Sequence, residues 1–262
     1  MKKSILTGKY TNYFNLNTIS NYINEINVKN NNTKGYHIWT ENITGNIYNI
    51  IEEVRLSNEI LTKINKQYPN CRIKNVRNID EIYWAVSPKN ATGSDRTLVD
   101  CHYDTPFGIL PTNNIVFYRI ILACNENYTI ETSFPKNNVK VKMNIGDFHG
   151  LDYSKDWHCV KGKIPPNKYR VLLKLHYLII PESYEDNTIS ERFVYNLNVS
   201  WGIFSRNIMR ISSNPKNNFE NLIADTVNTS RYLFNNCKEE LCYFIFVLFV
   251  SVIIFIKNTI RK

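Results

Sequence analysis

The sequence predicts a mainly β barrel or jelly roll braced by helices, an α+β chain that closes with one apolar C-terminal helix. From Leu98 to Ser205, short β-branched and aromatic runs are separated by Pro, Gly, Asn and Asp, the pattern of a sandwich, jelly roll or barrel. Upstream, Ile19, Tyr22, Ile23 and Ile26, then Ile47, Ile50, Ile51, Val54 and Leu61, recur at helical spacing. Downstream, Leu241 to Ile256 is a run of sixteen residues in which Ser251 is the only strongly polar member.

These patterns divide the chain into helical support over 1–80, the barrel over 81–205, a helical linker over 206–240 and a transmembrane tail anchor over 241–257. With 262 residues, 43% of them hydrophobic and 21% charged, one globular domain with appendages fits better than two full domains or a disordered chain. The net charge of +9 is spread without a dense basic block, so nucleic acid and acidic lipid are open as partners but not singled out. Met1 to Tyr13 lacks the apolar core of a secretory signal, so the six cysteines are expected as free thiols in a reducing compartment. No Cys-x-x-Cys pair exists, which argues against a structural zinc site.

In order along the chain, the first helix is expected after a Thr18 cap and the second over Ile47 to Leu61. The run Ile82 to Val86 reads as the first strand, and Ile115 to Cys124, strongly apolar, as a central one. Asn137-Asn138 and Gly146-Asp147 read as turns, with alternation over Val139 to Asn144 between them. Phe148 to Leu151 reads as a strand. Next comes a strand with Arg170, Leu172, Lys174 and His176 on one face and Tyr169, Val171, Leu173, Leu175 and Tyr177 on the other. Phe193, Tyr195, Leu197, Val199 and Trp201 predict a last, half-buried strand, and Phe219, Leu222, Ile223, Val227 and Phe234 a helix leading outward. At about 1.5 Å per residue the apolar tail is short for a hydrocarbon core of roughly 30 Å. Its all-round apolarity favours a single-pass anchor over a buried C-terminal helix; the flanking Lys257, Arg261 and Lys262 would keep the C-terminus cytoplasmic, but with no N-terminal export signal the large domain is expected on the cytosolic side.

Chemistry concentrates between Asp100 and Tyr177. In a strand His102 and Asp104 share a face while Tyr103 points away, and a distal His158 completes a set of two histidines and one carboxylate. Such a set leaves half the coordination sphere of a ferrous ion open. His149 is the rival distal ligand, ranked second because Arg170 follows His158 by one turn. A dicarboxylate co-substrate would need a fixed cation, and the planar fork of Arg170, with His176 on the same face, suits one. Tyr118 reads equally as a contact to that co-substrate or as a core aromatic. Cys101 and Cys159 adjoin the ligands but alternate away from them and read as packing residues; Asp152 and Asp156 read as solvated turn residues. Phosphate-cradling glycine loops, a dinucleotide fingerprint, a His-Glu-x-x-His motif and a serine nucleophile elbow are all absent.

The run Phe117-Tyr118-Arg119-Ile120-Ile121-Leu122, then Glu131-Thr132-Ser133-Phe134-Pro135, Gly146-Asp147, His158-Cys159-Val160, Gly162 and Tyr169-Arg170 resembles the 2-oxoglutarate and iron(II)-dependent dioxygenases, in the order of the prolyl 4-hydroxylase-like branch. The resemblance covers roughly Leu98 to Tyr177 and implies a double-stranded β-helix (jelly roll) core. It implies Fe(II) on His102, Asp104 and His158, and 2-oxoglutarate as co-substrate on Arg170. It also implies molecular oxygen as a reactant, ascorbate as a supporting reductant, and hydroxylation of a protein side chain, prolyl or other, or of a small molecule. Thr129-Ile130 replaces the glycine pair usual before Glu-Thr, and the asparagine usual after the central strand appears as Cys124-Asn125. Two other readings stay open: a catalytically inactive, membrane-tethered barrel that binds without chemistry, and an oxidative demethylase acting on nucleic acid.

Overall fold

The protein, seen here as a computed structural model, is described over residues 4–30, 36–86, 101–104, 115–153, 155–165, 168–182 and 217–236, with isolated residues at 197, 200, 201, 204, 208 and 211. Its elements run β1 (Leu6–Lys9), α1 (Tyr13–Asn30), β2 (Tyr36–Trp39), α2 (Asn46–Arg55), α3 (Asn58–Gln67), β3 (Cys71–Asn75), β4 (Glu81–Val86), β5 (Val116–Ala123), β6 (Glu131–Phe134), β7 (Val139–Lys142), β8 (Asp147–Asp152), β9 (Cys159–Lys161), β10 (Tyr169–Pro181) and α4 (Asn218–Asn236). The chain divides into two units, Met1–Ile203 and Phe204–Lys262. The strands lie in the first unit; α4 belongs to the second.

The long apolar run of β10 is the spine of the larger sheet. Its first half pairs with β4, from Tyr169↔Val86 to Lys174↔Glu81, and its second half with β3, from Tyr177↔Asn75 to Pro181↔Cys71. Its other edge takes β5, from Leu172↔Ala123 to Ile179↔Val116. The sheet runs β1-β8-β5-β10-β4-β2 with β3 beside β10, and a smaller sheet runs β7-β6-β9. An isolated antiparallel bridge, His102↔His158, adds the segment 101–104 to the end of β9. Going along the chain from β4 through the 101–104 segment to β10, the strands pass from one sheet to the other at each step except the β6–β7 hairpin, which is the winding of a jelly roll. The β-rich core expected from the punctuated strands is present.

Period-2 alternation sorts β5 and β10 into two environments. Tyr118, Ile120 and Leu122 join Val171, Leu173, Leu175 and Tyr177 against Leu16, Ile19, Ile23, Ile50, Ile51, Val54, Ile60 and Ile64 of the helices. The opposite face carries Ile121, Ala123, Leu151 and Leu172, which meet Phe134, Val141 and Met143 of the smaller sheet. Arg119, Arg170 and His176 fall on this interior face by the same alternation, so their polar heads lie inside the roll.

Several expectations need correction. Helix α1 starts before Thr18: the Asn15 backbone N–H donates to Asn12 Oδ1 (3.3 Å), and Thr18 Oγ1 donates back to the Phe14 carbonyl (2.8 Å) within the helix. The predicted second helix is two, because Ser57 takes an extended conformation (φ −63°, ψ 141°) between α2 and α3. The first 80 residues supply strands as well as helices, since β1, β2 and β3 all join the larger sheet. At four or five residues each they were too short to show a period. In the predicted strand Phe193 to Trp201, the described residues Leu197, Ser200 and Trp201 are helical. Leu197, Trp201, Phe204, Ile208 and Ile211 recur at spacings of four and three, so a helical period underlies the same segment. Among the described residues no helix is long and apolar enough to cross a membrane. The apolar run Leu241 to Ile256 lies outside those residues.

Candidate metal centre

Three ligand atoms, one each from His102, Asp104 and His158, lie within 4.8 Å of one another, a group the described residues offer once. Two strand segments bring them together. His102 and His158 are a directly opposed pair that exchange both backbone hydrogen bonds, His102 N to His158 O at 2.9 Å and His158 N to His102 O at 3.0 Å. Asp104 lies two residues on, so alternation returns it to the face of His102. His102 Nε2 is 3.7 Å from Asp104 Oδ1, and His158 Nε2 is 3.9 Å from Asp104 Oδ2.

Protonation suits a cation. His158 Nδ1 faces the Asp156 carbonyl at 3.0 Å, which keeps the ring proton there and leaves the Nε2 lone pair toward Asp104. Burial lowers the His158 pKa, and nearby His102 adds to this while Asp104 opposes it, so the imidazole is neutral at physiological pH. Burial alone would raise the Asp104 carboxyl; Arg119 and then His158 and His102 outweigh it and hold Asp104 well below the usual carboxylate range. A neutral His158 and an ionised Asp104, with His102 beside them, match the two-histidine, one-carboxylate donor set that a ferrous ion takes with positions left open.

Behind Asp104 runs a buried chain of charge. Arg119 Nη1 donates to Asp104 Oδ2 at 2.5 Å, and Arg119 Nε donates to His176 Nε2 at 2.8 Å. His176 Nδ1 in turn donates to Asp80 Oδ1 at 3.0 Å, while Arg55 Nε and Nη2 hold Asp80 Oδ2 at 2.8 and 2.6 Å. The order of donors makes His176 a neutral relay. Behind Asp104, sequence reasoning assigned a site role only to His176, as a pocket residue. The signal it passed over is Arg119 itself: a lone charge inside an apolar central strand must be paired somewhere.

Arg170 is buried at 4% exposure, and its Nε and Nη1 have no partner. Its guanidinium lies 5.8 Å from the centre of the Tyr83 ring, and burial pushes its pKa down to about 10. An unpaired buried cation with two unsatisfied donors is costly unless an anion completes it. His149 is also interior and neutral, its pKa pushed down to about 3 by burial and then by His158 and Arg170. Its Nδ1 meets Met143 Sδ at 3.2 Å, its Nε2 has no partner, and it stands outside the three-residue group.

Other expectations change here. Tyr118 turns away from the centre: its hydroxyl donates to the Ser4 carbonyl at 2.7 Å, and its ring lies so close to Gly150 that a Cβ there would meet Cε1 at 2.5 Å. A residue flanking inward Arg119 on a strand has no other face to take. His176 is interior as expected, but both its ring nitrogens are engaged with Asp80 and Arg119. Cys101 and Cys159 are not free packing thiols; they form a disulfide, with Cα atoms 4.1 Å apart. Asp152 and Asp156 are buried rather than solvated, and Asp156 accepts from Ser4 Oγ (2.6 Å) and from the Asp152 N–H (2.7 Å), which fixes the turn that presents His158.

No protein-family model matches this sequence, and no curated protein matches it. Solved structures do. A viral collagen prolyl hydroxylase from Paramecium bursaria Chlorella virus-1, solved as its 2OG complex, is similar at 10% identity and a TM-score of 0.45, over 68% of this chain and 96% of that one. A prolyl 4-hydroxylase from Phytophthora capsici is similar at 14% identity and a TM-score of 0.47, over 91% and 84%. A prolyl-4-hydroxylase from Pseudomonas putida is similar at 12% identity and a TM-score of 0.42, over 68% and 92%. At these scores the likeness assigns no function, and the geometry of the centre has to carry one.

Proposed function

We propose that this protein is an Fe(II)- and 2-oxoglutarate-dependent oxygenase. The observation that supports it is the convergence of His102, Asp104 and His158, with His158 Nε2 unprotonated and Asp104 ionised, inside a jelly roll that also buries an unpartnered Arg170. Fe(II), when bound, supplies the redox chemistry that links oxygen, decarboxylation of 2-oxoglutarate and oxidation of a substrate. The chain's own residues do the rest. His102 and His158 would hold the ion through ring nitrogens, and Asp104 as an anion whose second oxygen stays with Arg119. Arg170 offers the donors of its planar guanidinium to the distal carboxylate of the co-substrate, with the Tyr83 ring as the wall beside it.

Anaerobic titration with Fe(II) and 2-oxoglutarate tests this. Stoichiometric binding that 2-oxoglutarate tightens, with a visible charge-transfer band that His102→Ala removes, is the expected result. Absence of that band, together with no turnover of 2-oxoglutarate under oxygen and ascorbate, would defeat the proposal. We further propose that the apolar run Leu241 to Ile256 anchors the chain in a membrane. A chain ending before Leu241 should then move to the soluble fraction; if it stays with the membranes, the anchor lies elsewhere.

A further inference from the structure

We propose that the Cys101–Cys159 disulfide is a positioning element of the metal centre, so that metal affinity follows its redox state; the inference rests on the metal reading above. His102 and His158 form a hydrogen-bonded cross-strand pair. In an antiparallel ladder such a pair is flanked by non-hydrogen-bonded pairs, whose side chains stand close together on the opposite face. Here both flanking pairs are filled. On one side is the Cys101–Cys159 bond, and on the other the Tyr103 and Trp157 rings, 4.7 Å apart edge to face. Lys136 Nζ closes the second pair by donating to the Tyr103 hydroxyl at 2.6 Å.

The two histidines differ in how they are held. His158 leads directly into β9, which is paired to β6 from Ser133↔Cys159 to Glu131↔Lys161. His102 belongs to a bridge outside the named strands. Two backbone hydrogen bonds make a marginal ladder on their own. The disulfide links positions 58 residues apart and ties the segment bearing His102 and Asp104 to the sheet that carries His158. Without it, the segment that bears two ligands is joined at His102 to the strand bearing the third by that one bridge.

Reduction is chemically simple. A dithiol thiolate attacks the sulfur of Cys101, the half-buried partner, and displaces the Cys159 thiolate, leaving a mixed disulfide. The second thiol of the reductant resolves it. Two electrons and two protons leave two cysteine thiols and one cyclic disulfide.

The test uses the full chain and Co(II) alone, titrated anaerobically and read by its visible absorption. Oxidised protein should bind one Co(II) at a site that His102→Ala abolishes. Protein reduced with a dithiol and freed of it should bind about tenfold more weakly, the scale on which outer supports tune metal sites, and reoxidation should restore the affinity. The double variant Cys101→Ser, Cys159→Ser should match the reduced protein, with an unchanged far-UV circular dichroism spectrum. Equal Co(II) affinity in oxidised and reduced wild type, with disulfide status verified by mass, would overturn the inference even if the double variant fails to fold. So would an intense sulfur-to-cobalt band after reduction, because the thiols would then be ligands rather than supports. Failure of oxidised protein to bind Co(II) at all would overturn the metal reading as well.

Discussion

Arg119 and His176 stand opposite one another on β5 and β10, and Arg119 Nε donates to His176 Nε2 at 2.8 Å. That contact joins the Asp104 carboxylate to the buried Asp80–Arg55 ion pair. Asp104 answers to Arg119, Arg119 to His176, His176 to Asp80, and Asp80 to Arg55 of α2. Replacing His176 with Phe keeps a ring and removes the relay. It should weaken Fe(II) binding by about 10- to 100-fold, as loss of an outer hydrogen-bond partner does elsewhere. Anaerobic metal titration checks this, and unchanged affinity would show that Arg119 holds Asp104 without help.

Asp80→Asn acts mainly on stability. It leaves the Arg55 guanidinium buried at 0% exposure against a neutral amide. Removing one partner of a buried pair typically costs about 3–5 kcal/mol. Denaturant unfolding should show a loss on that scale, and a loss below about 1 kcal/mol would mean that Glu52, which also contacts Arg55, carries the charge instead.

Arg170→Met should separate function from stability. The substitution removes an unpaired buried cation, so thermal stability should stay level or rise. Meanwhile the apparent affinity for 2-oxoglutarate should fall at least about tenfold, roughly 1.4 kcal/mol, while Fe(II) binding alone is kept. Unfolding scans and co-substrate titration of the same variant read both effects. If 2-oxoglutarate affinity holds, another cation takes its distal carboxylate.

His149 gives a pH signature. Its folded pKa is about 3 against an ordinary value of 6.5, because burial disfavours the charged ring. The unfolded chain takes up a proton below about pH 6.5 that the folded chain refuses. The stabilisation is therefore complete above that pH and is lost as pH falls toward 3, on the order of 1 kcal/mol per pH unit. His149→Phe should flatten the slope between about pH 6.5 and 5, where carboxylates contribute little. An unchanged slope would mean that His149 can be protonated in place.

Tyr118→Phe tests the face assigned to that side chain. It removes one hydrogen bond to the Ser4 carbonyl, so stability should drop by about 1 kcal/mol with no change in 2-oxoglutarate affinity. A selective loss of co-substrate affinity would return Tyr118 to the site.

Much of the centre was legible in the sequence because it rests on local geometry. Alternation put His102 and Asp104 on one face, and it put Arg170, Lys174 and His176 on another, whatever the rest of the chain did. The helices on either side of Leu56 announced themselves by period and the central strand from Ile115 by its continuous apolarity, although the break at Ser57 did not show. Strands β1 to β3 were too brief for a period and took their place only by pairing with β8, β4 and β10.

By itself the sequence determined which faces the polar side chains share, since a two-residue period depends on the backbone alone. Tertiary structure decided which of those faces meet. Both His149 and His158 point inward, and only the cross-strand pairing of His158 with His102 makes one of them a ligand candidate. The same pairing turned two flanking cysteines into a disulfide, and the register of β5 on β10 gave Arg119 its relay. Contacts of this kind join residues far apart in the chain, and neither spacing nor composition encodes their distance in space.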